Sequence, residues 1–444
     1  MKTTLFTLLT MSAVLLCGLD TNTAKFFRRE AGPETVKLPA DKIYPQGRLF
    51  PFTFYSTGGG SVEKRGKLLP EAEREDDTAW IVKGGVTMIG PQYELNGQAV
   101  ATAKKYGVKA VYTVHPVIDG KELTRPLLLK LAKEDPEHYL DRIREAMTKL
   151  IREQAKNPEI AWWDVSPEEL RFWIKPEVEY IKLAYETIKA NDPLKRPVFF
   201  YEPGHRGAGS MAKFLPYQDL SVKGTYTNYS GRRAMRAWVR YSIEQEVEAI
   251  KLAKRPEVTP IALLEMFQQP KEEEQLKLIR DWVRHDVYCA LAAGAKGIMV
   301  FSASKRPKFA AWEEYLKAYL EVCGELNGKQ QLGQVFLFGK PMSDIECSVV
   351  EGAETVEVKC GKEMKKLPSV TFASYSWNGR RYVFAVNSSN APVKIIISGL
   401  VYGSGVTVRS VIGPKQEFTA PEGDFESTLK PLEAAGFEIY LNKN

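Results

Sequence analysis

The residues in this chain best suited to chemistry are carboxylates that end apolar runs. Ile261-Ala262-Leu263-Leu264-Glu265 sets an acid directly after four apolar residues. Ala161-Trp162-Trp163-Asp164-Val165-Ser166-Pro167-Glu168-Glu169 sets three more around a second run, and Phe199-Phe200-Tyr201-Glu202-Pro203-Gly204-His205-Arg206 ends in acid, imidazole and guanidinium. An ionised carboxylate is costly to bury unless paired. An acid so placed is therefore either half of an internal ion pair or a group whose shifted pKa suits proton transfer or nucleophilic attack. Ser166-Pro167-Glu168-Glu169 also has the composition of a helix start, with Ser at the N-cap, Pro at N1 and acids in the first turn. With no CxxC, no His/Cys cluster at zinc spacing and only four His, neither a metal site nor a cofactor is expected.

These acids need elements to aim them. Between residues 46 and 328 short apolar runs alternate with amphipathic stretches. Strands are expected at 49–55, 86–90, 110–114, 160–165, 198–202, 222–226, 261–267 and 297–302, most of them continuous and rich in Val, Ile, Phe or Tyr, as strands buried on both faces are. Helices are expected at 97–106, 139–154, 168–190, 232–252, 271–293 and 310–323, with only a short one at 210–215. Eight such β/α units fit a closed parallel (β/α)8 TIM barrel, whose active site lies at the C-terminal ends of the strands. No GxGxxG follows any strand, which argues against a dinucleotide fold. After a connector at 329–345, residues 346–444 alternate in the manner of a small antiparallel β-sandwich. Its strands are expected at 355–359, 369–377, 381–387, 393–397, 406–411 and 437–441, and Asn378-Gly379 is a hairpin signal.

The bulk numbers bound the rest. A chain of 444 residues exceeds a single core, and 44% hydrophobic with 26% charged residues excludes a disordered class. Residues 1–24 (Lys2, then an apolar run to Leu16) have the shape of a secretory signal peptide of bacterial type, followed by an extension at 25–45. The expected location is thus secreted or periplasmic, with a lipid anchor through Cys17 left open and no membrane span. Cys347 and Cys360 could pair as a disulfide, whereas Cys289 and Cys323 fall in helical patterns as buried thiols. The net charge of +7 is dispersed, without the basic stripe that nucleic acid requires.

A carboxylate ending strand 4, another ending strand 7, and a strand 8 of the form Gly297-Ile298-Met299-Val300-Phe301-Ser302 resemble the retaining clan A glycoside hydrolases, as does the trailing sandwich. The resemblance covers most of the chain as layout, without assigning a family. It implies a glycosidase with Glu265 as nucleophile and Glu168 or Glu169, the latter the first choice, as acid/base. One carboxyl protonates the departing oxygen while the other attacks the oxocarbenium-like centre. The residue before the acid departs from the clan, with Pro167 or Glu168 where Asn is usual. Inverting or transglycosylating chemistry, and a non-catalytic glycan-binding barrel, therefore remain open. Trp162 or Trp163, whichever ring faces the site, is expected to desolvate a carboxyl, and Asp164 and Glu202 to tune the pair. Strand-end residues Tyr93, His115, His205, Arg206, Tyr226, Asn228, Tyr229, Gln268 and Lys305 are expected to bind a carbohydrate. The Arg and Lys at the ends of strands 5, 6 and 8, among them Arg232, Arg233 and Arg306, suggest a uronate-containing or sulfated one.

Overall fold

The computed structural model describes residues 50–57, 62–64, 67–68, 77–91, 96–306, 308–400 and 405–441. The leader, the extension and Cys17 lie outside them, as does Tyr93. Eight barrel strands run in chain order: β1 (Phe52–Phe54), β2 (Met88–Ile89), β3 (Lys109–Val114), β4 (Ile160–Val165), β5 (Val198–Phe199 and Tyr201–Glu202), β6 (Leu220–Gly224), β7 (Thr259–Glu265) and β8 (Ile298–Phe301). All neighbours pair in parallel, and β8 meets β1 with Ile298 opposite Phe52. Strand β5 is interrupted at Phe200; its first piece bonds β4 and its second bonds β6, so the ring closes through a split strand.

One helix follows each strand: α1 (Thr78–Lys83), α2 (Asn96–Tyr106), α3 (Tyr139–Gln154), α4 (Lys175–Asn191), α5 (Ala208–Met211), α6 (Trp238–Leu252), α7 (Ile279–Ala292) and α8 (Trp312–Asn327). Two further helices, Arg125–Glu134 and Glu273–Leu276, precede α3 and α7. The expectation of a helix from residue 168 is corrected: α4 begins at Lys175, and Pro176 rather than Pro167 takes the first turn. Residues 166–174 are held as a loop. The Tyr180 hydroxyl donates to the Ser166 carbonyl, and buried Glu177 accepts both the backbone N–H and the guanidinium of Arg171. No helix among the described residues is long and apolar enough to cross a membrane.

Two-residue alternation divides the barrel wall. Tyr55, Met88, Val111, Trp162, Phe199, Val222, Leu263 and Met299, one from each strand or its end, form the interior cluster. Their neighbours in sequence, such as Phe54, Trp163, Phe200, Leu264 and Val300, pack outward against helices. Any residue in phase with the first set faces the lumen, and that rule sorts the candidate site.

After α8 a helix, Leu332–Phe338, is buried at the seam with the C-terminal domain. That domain sets a six-stranded antiparallel sheet against a three-stranded one. The Asn378-Gly379 turn joins Val370–Trp377 to Arg380–Asn387 with both central residues at positive φ (49° and 70°), the hairpin geometry that this dipeptide favours. Strands Glu346–Glu351, Glu417–Ala420 and Phe425–Leu429 complete the sheets, and Thr355–Cys360 pairs with Glu363–Pro368 as a separate ribbon. The ribbon docks on the barrel, with Val358 and Cys360 against Trp238 and the Arg232 Nε donating to the Lys359 carbonyl at 2.6 Å. This corrects the Cys347–Cys360 pairing. Cys347 lines the sandwich core while Cys360 faces α6, and both are free thiols. Cys289 and Cys323 are buried as expected.

Phe336 locks the seam, its ring centroid 4.4 Å from Phe384, 5.8 Å from Tyr375 and 6.4 Å from Tyr288. Phe336→Ala is expected to destabilise the protein by about 3–5 kcal/mol. Denaturant unfolding followed by tryptophan fluorescence checks this, and a loss below about 1 kcal/mol would show that the seam carries little of the stability.

Candidate functional site

Glu265 ends β7 in phase with Ile261 and Leu263 and is 4% exposed. Its carboxylate is received by the loop after β6. The Asn228 N–H donates to Oε1 and the Tyr229 N–H to Oε2 at 3.0 Å, with Thr227 Oγ1 3.3 Å from Oε1. Burial pushes the acid up to about 7, and the Tyr229 and Asn228 amides and the charge of Arg236 hold it from rising further. The same Thr227 hydroxyl lies 3.2 Å from Asp286, which is paired with Arg236; Arg236 also donates to the Asn228 side chain. His285 joins Asp286 at 2.9 Å to Ser388 of the sandwich at 2.8 Å. One buried chain of polar contacts therefore runs from the Glu265 carboxylate into the second domain.

The strand 4 acids separate clearly. Glu168 is half-buried at the mouth, and burial, with the neighbouring charge of Glu169, raises its pKa to about 7. Glu169 has a left-handed backbone (φ 56°), is exposed, and offers its carbonyl to Arg125 at 3.2 Å. Asp164 lies deeper, in phase with Trp162. Burial lifts it to about 7 against a 2.9 Å hydrogen bond from Thr113, and its Oδ1 has no hydrogen-bond partner among the described residues.

Tyrosines fill the space between these acids. Tyr201 and Tyr226 stack with their rings 6.5 Å apart at 18°. Gly224 makes room for them, since a Cβ there would stand 2.8 Å from the Tyr201 hydroxyl. Burial raises the Tyr226 pKa well above its ordinary value, with further contributions from Tyr201, Glu168 and Glu265. Tyr226 thus senses both candidate carboxyls at once. Tyr55 below feels Asp164 and Glu168. At the rim, Tyr229 is 67% exposed, its ring 5.5 Å from Phe267, which in turn lies 5.3 Å from Tyr226.

Several expected site residues stand elsewhere, and strand phase explains the first two. Trp163 points outward, its indole donating to Asp192 at 2.9 Å, and of the two expected rings Trp162 faces the lumen, with Tyr201 and Tyr226. Glu202 also lies outside the barrel wall, paired with Arg206, which donates as well to the Leu170 carbonyl. The Asn228 side chain serves the Arg236 and Tyr315 network, leaving its backbone N–H to the site. Lys305 is paired with Asp77 at 3.4 Å and covers Trp312, and His205 is exposed beyond β5. His115 ends β3 half-buried, its pKa lowered by burial against the opposing charge of Glu122. Gln268 is half-buried beyond β7. Tyr55, Tyr201, Phe267 and Phe301 belong to the site without having been singled out. The signal for Tyr201 was its spacing of two from Phe199. Among the described residues no cluster of His, Cys, Asp and Glu could hold a metal ion.

With this geometry in hand, comparison with known proteins bears on the fold alone. No family model and no curated protein matches the chain. Solved structures do. The α-amylase of Geobacillus thermoleovorans, complexed with acarbose, superposes with a TM-score of 0.54 at 9% identity, covering 89% of this chain and 99% of its own. The α-amylase from H. orenii gives 0.53 at 11% identity over 88% and 99%. A noncanonic maltogenic α-amylase from Thermotoga neapolitana gives 0.51 at 10% identity over 89% and 99%. The chain has the fold of barrel glycoside hydrolases. The resemblance to retaining barrel glycosidases stands at that level, with no family assigned.

Arg236→Met would strand Asp286 in the interior without its cation and is expected to cost about 3–5 kcal/mol. It also removes a charge that lowers the Glu265 pKa, so that pKa rises. Denaturation measures the first effect and a carboxyl titration by isotope-edited NMR the second; an unmoved Glu265 pKa would count against the coupling.

Proposed function

We infer that the protein is a glycoside hydrolase cleaving an O-glycosidic bond of a polysaccharide or oligosaccharide with Glu265 and Glu168. The observation that carries this reading is the pair itself. Two carboxyls, both raised to about 7 by burial, stand at the ends of β4 and β7 and act on the same tyrosine. Glu265 accepts two backbone N–H bonds, which favour its ionised form and fix its direction, as a nucleophile or stabiliser of an oxocarbenium-like centre requires. Glu168 has the negative charge of Glu169 beside it, which favours keeping its proton for the leaving oxygen. Tyr229 and Phe267 offer ring faces to a sugar, and Asp164 lies deeper in the lumen, in phase with Trp162. The leader-like first residues place the enzyme outside the cytoplasm in this reading.

Activity rises with pH as Glu265 loses its proton and falls as Glu168 loses its own, so kcat/KM is expected to peak near neutral pH. Glu169→Gln removes a charge that raises the Glu168 pKa, and should shift the alkaline limb toward acid. Glu168→Gln should slow hydrolysis by roughly 10²–10⁴-fold, least for an aryl glycoside with a good leaving group. Glu265→Gln should abolish hydrolysis while glycan binding remains. Turnover on a polysaccharide panel and on aryl glycosides, with product anomers read by NMR, tests these points. A fully active Glu265→Gln protein would leave a glycan-binding barrel as the surviving reading.

A further inference from the structure

The basic residues at the mouth are mostly spoken for. Arg206 is paired with Glu202, Lys305 with Asp77, Arg232 is held by the Lys359 carbonyl, and Arg233 by Gln275. Arg306, just beyond β8, is different. Its guanidinium carbon lies 5.2 Å from the Phe301 ring centroid and 5.4 Å from that of Phe267, and its Nη2 donates to Ser302 Oγ at 2.9 Å. It forms no ion pair with any carboxylate among the described residues. Burial lowers its pKa, and the ionisable group opposing that shift is the Tyr226 hydroxyl.

Phe301 and Phe267 both touch Tyr226, with centroids 6.3 and 5.3 Å away. The cation therefore stands one ring from the group that senses both catalytic candidates. Rings behind the guanidinium fix its plane, and with one N–H given to Ser302, its Nε and Nη1 remain without a protein acceptor. A half-buried cation gains most from an anion whose oxygens match its fork, and a sugar hydroxyl compensates its lost hydration poorly.

We propose that Arg306, braced on Phe267 and Phe301 and backed by Ser302, is a subsite for an anionic substituent of the glycan, a uronate carboxylate or a sulfate ester. It rests on the reading of this cleft as a glycan site, and makes negative charge beside the cleaved bond the basis of substrate choice. The wider basic rim suggested by the sequence thereby contracts to a single residue.

Matched glycans test it: polygalacturonate against its full methyl ester, and κ-carrageenan against its desulfated form. Binding is measured by calorimetry on the full chain carrying Glu265→Gln, so that hydrolysis does not deplete the ligand. At least one charged member should bind about tenfold more tightly than its neutral partner or better, with a preference that weakens as salt rises. Adding Arg306→Gln should bring that ratio toward one, and Arg306→Lys, which keeps the charge but loses the fork, should lower it in part. The carboxylate and sulfate arms tell the two groups apart. Equal binding within both pairs, or a preference that survives both Arg306 substitutions, overturns the proposal. Hydrolysis by the unmodified enzyme is scored separately. Cleavage of neutral glycans without charge preference overturns the subsite alone; an Arg306-dependent preference with no cleavage of any glycan overturns the hydrolase reading alone.

Discussion

The constraint on which the site depends is the burial of the Glu265 carboxylate. Removing an ionised carboxyl from water costs several kcal/mol unless donors replace the lost hydration. Here the donors are backbone amides at Asn228 and Tyr229, so the loop after β6 must hold one conformation. That requirement propagates outward. Arg236 anchors the loop through the Asn228 side chain, Asp286 neutralises Arg236, and His285 passes the network to Ser388. Each member is buried, so each must be satisfied by the next, and the last lies in the sandwich.

The same reasoning explains what the sequence made legible. Short continuous apolar runs and the βα rhythm made the barrel, its strand ends and the position of Glu265 legible, because a buried strand advertises itself by an unbroken apolar run. Phase within a strand was legible too, yet Glu202 and Trp163 were read by type instead of phase and proved to face outward. Arg306 was read only as part of a diffuse basic rim, since ion pairing between distant segments, such as Lys305 with Asp77, has no local signature. Composition favoured Glu169 slightly over Glu168. The proposed preference for Glu168 follows the left-handed backbone at Glu169 and the loop clamps from Arg125, Tyr180 and Glu177, none adjacent in sequence.

The sandwich was legible through Asn378-Gly379 and its longer strands, while short, half-exposed strands such as Glu417–Ala420 carried too little pattern. Cysteine spacing misled. Cys347 and Cys360 are close in sequence, but the ribbon that carries Cys360 leaves the sandwich to dock on α6. A hairpin's destination is a tertiary matter that spacing does not encode.

The His285–Ser388 bond and the Phe336 seam have a consequence for how such chains can be recombined. In many modular proteins an accessory domain can be exchanged at the gene level, because its boundary is a solvated linker. Here the boundary is a buried joint whose polar members end at the Glu265 carboxylate. A chimaera grafting a foreign sandwich onto this barrel would need to carry over the joint as well as the domain, and the unit of inheritance is therefore the whole two-domain body.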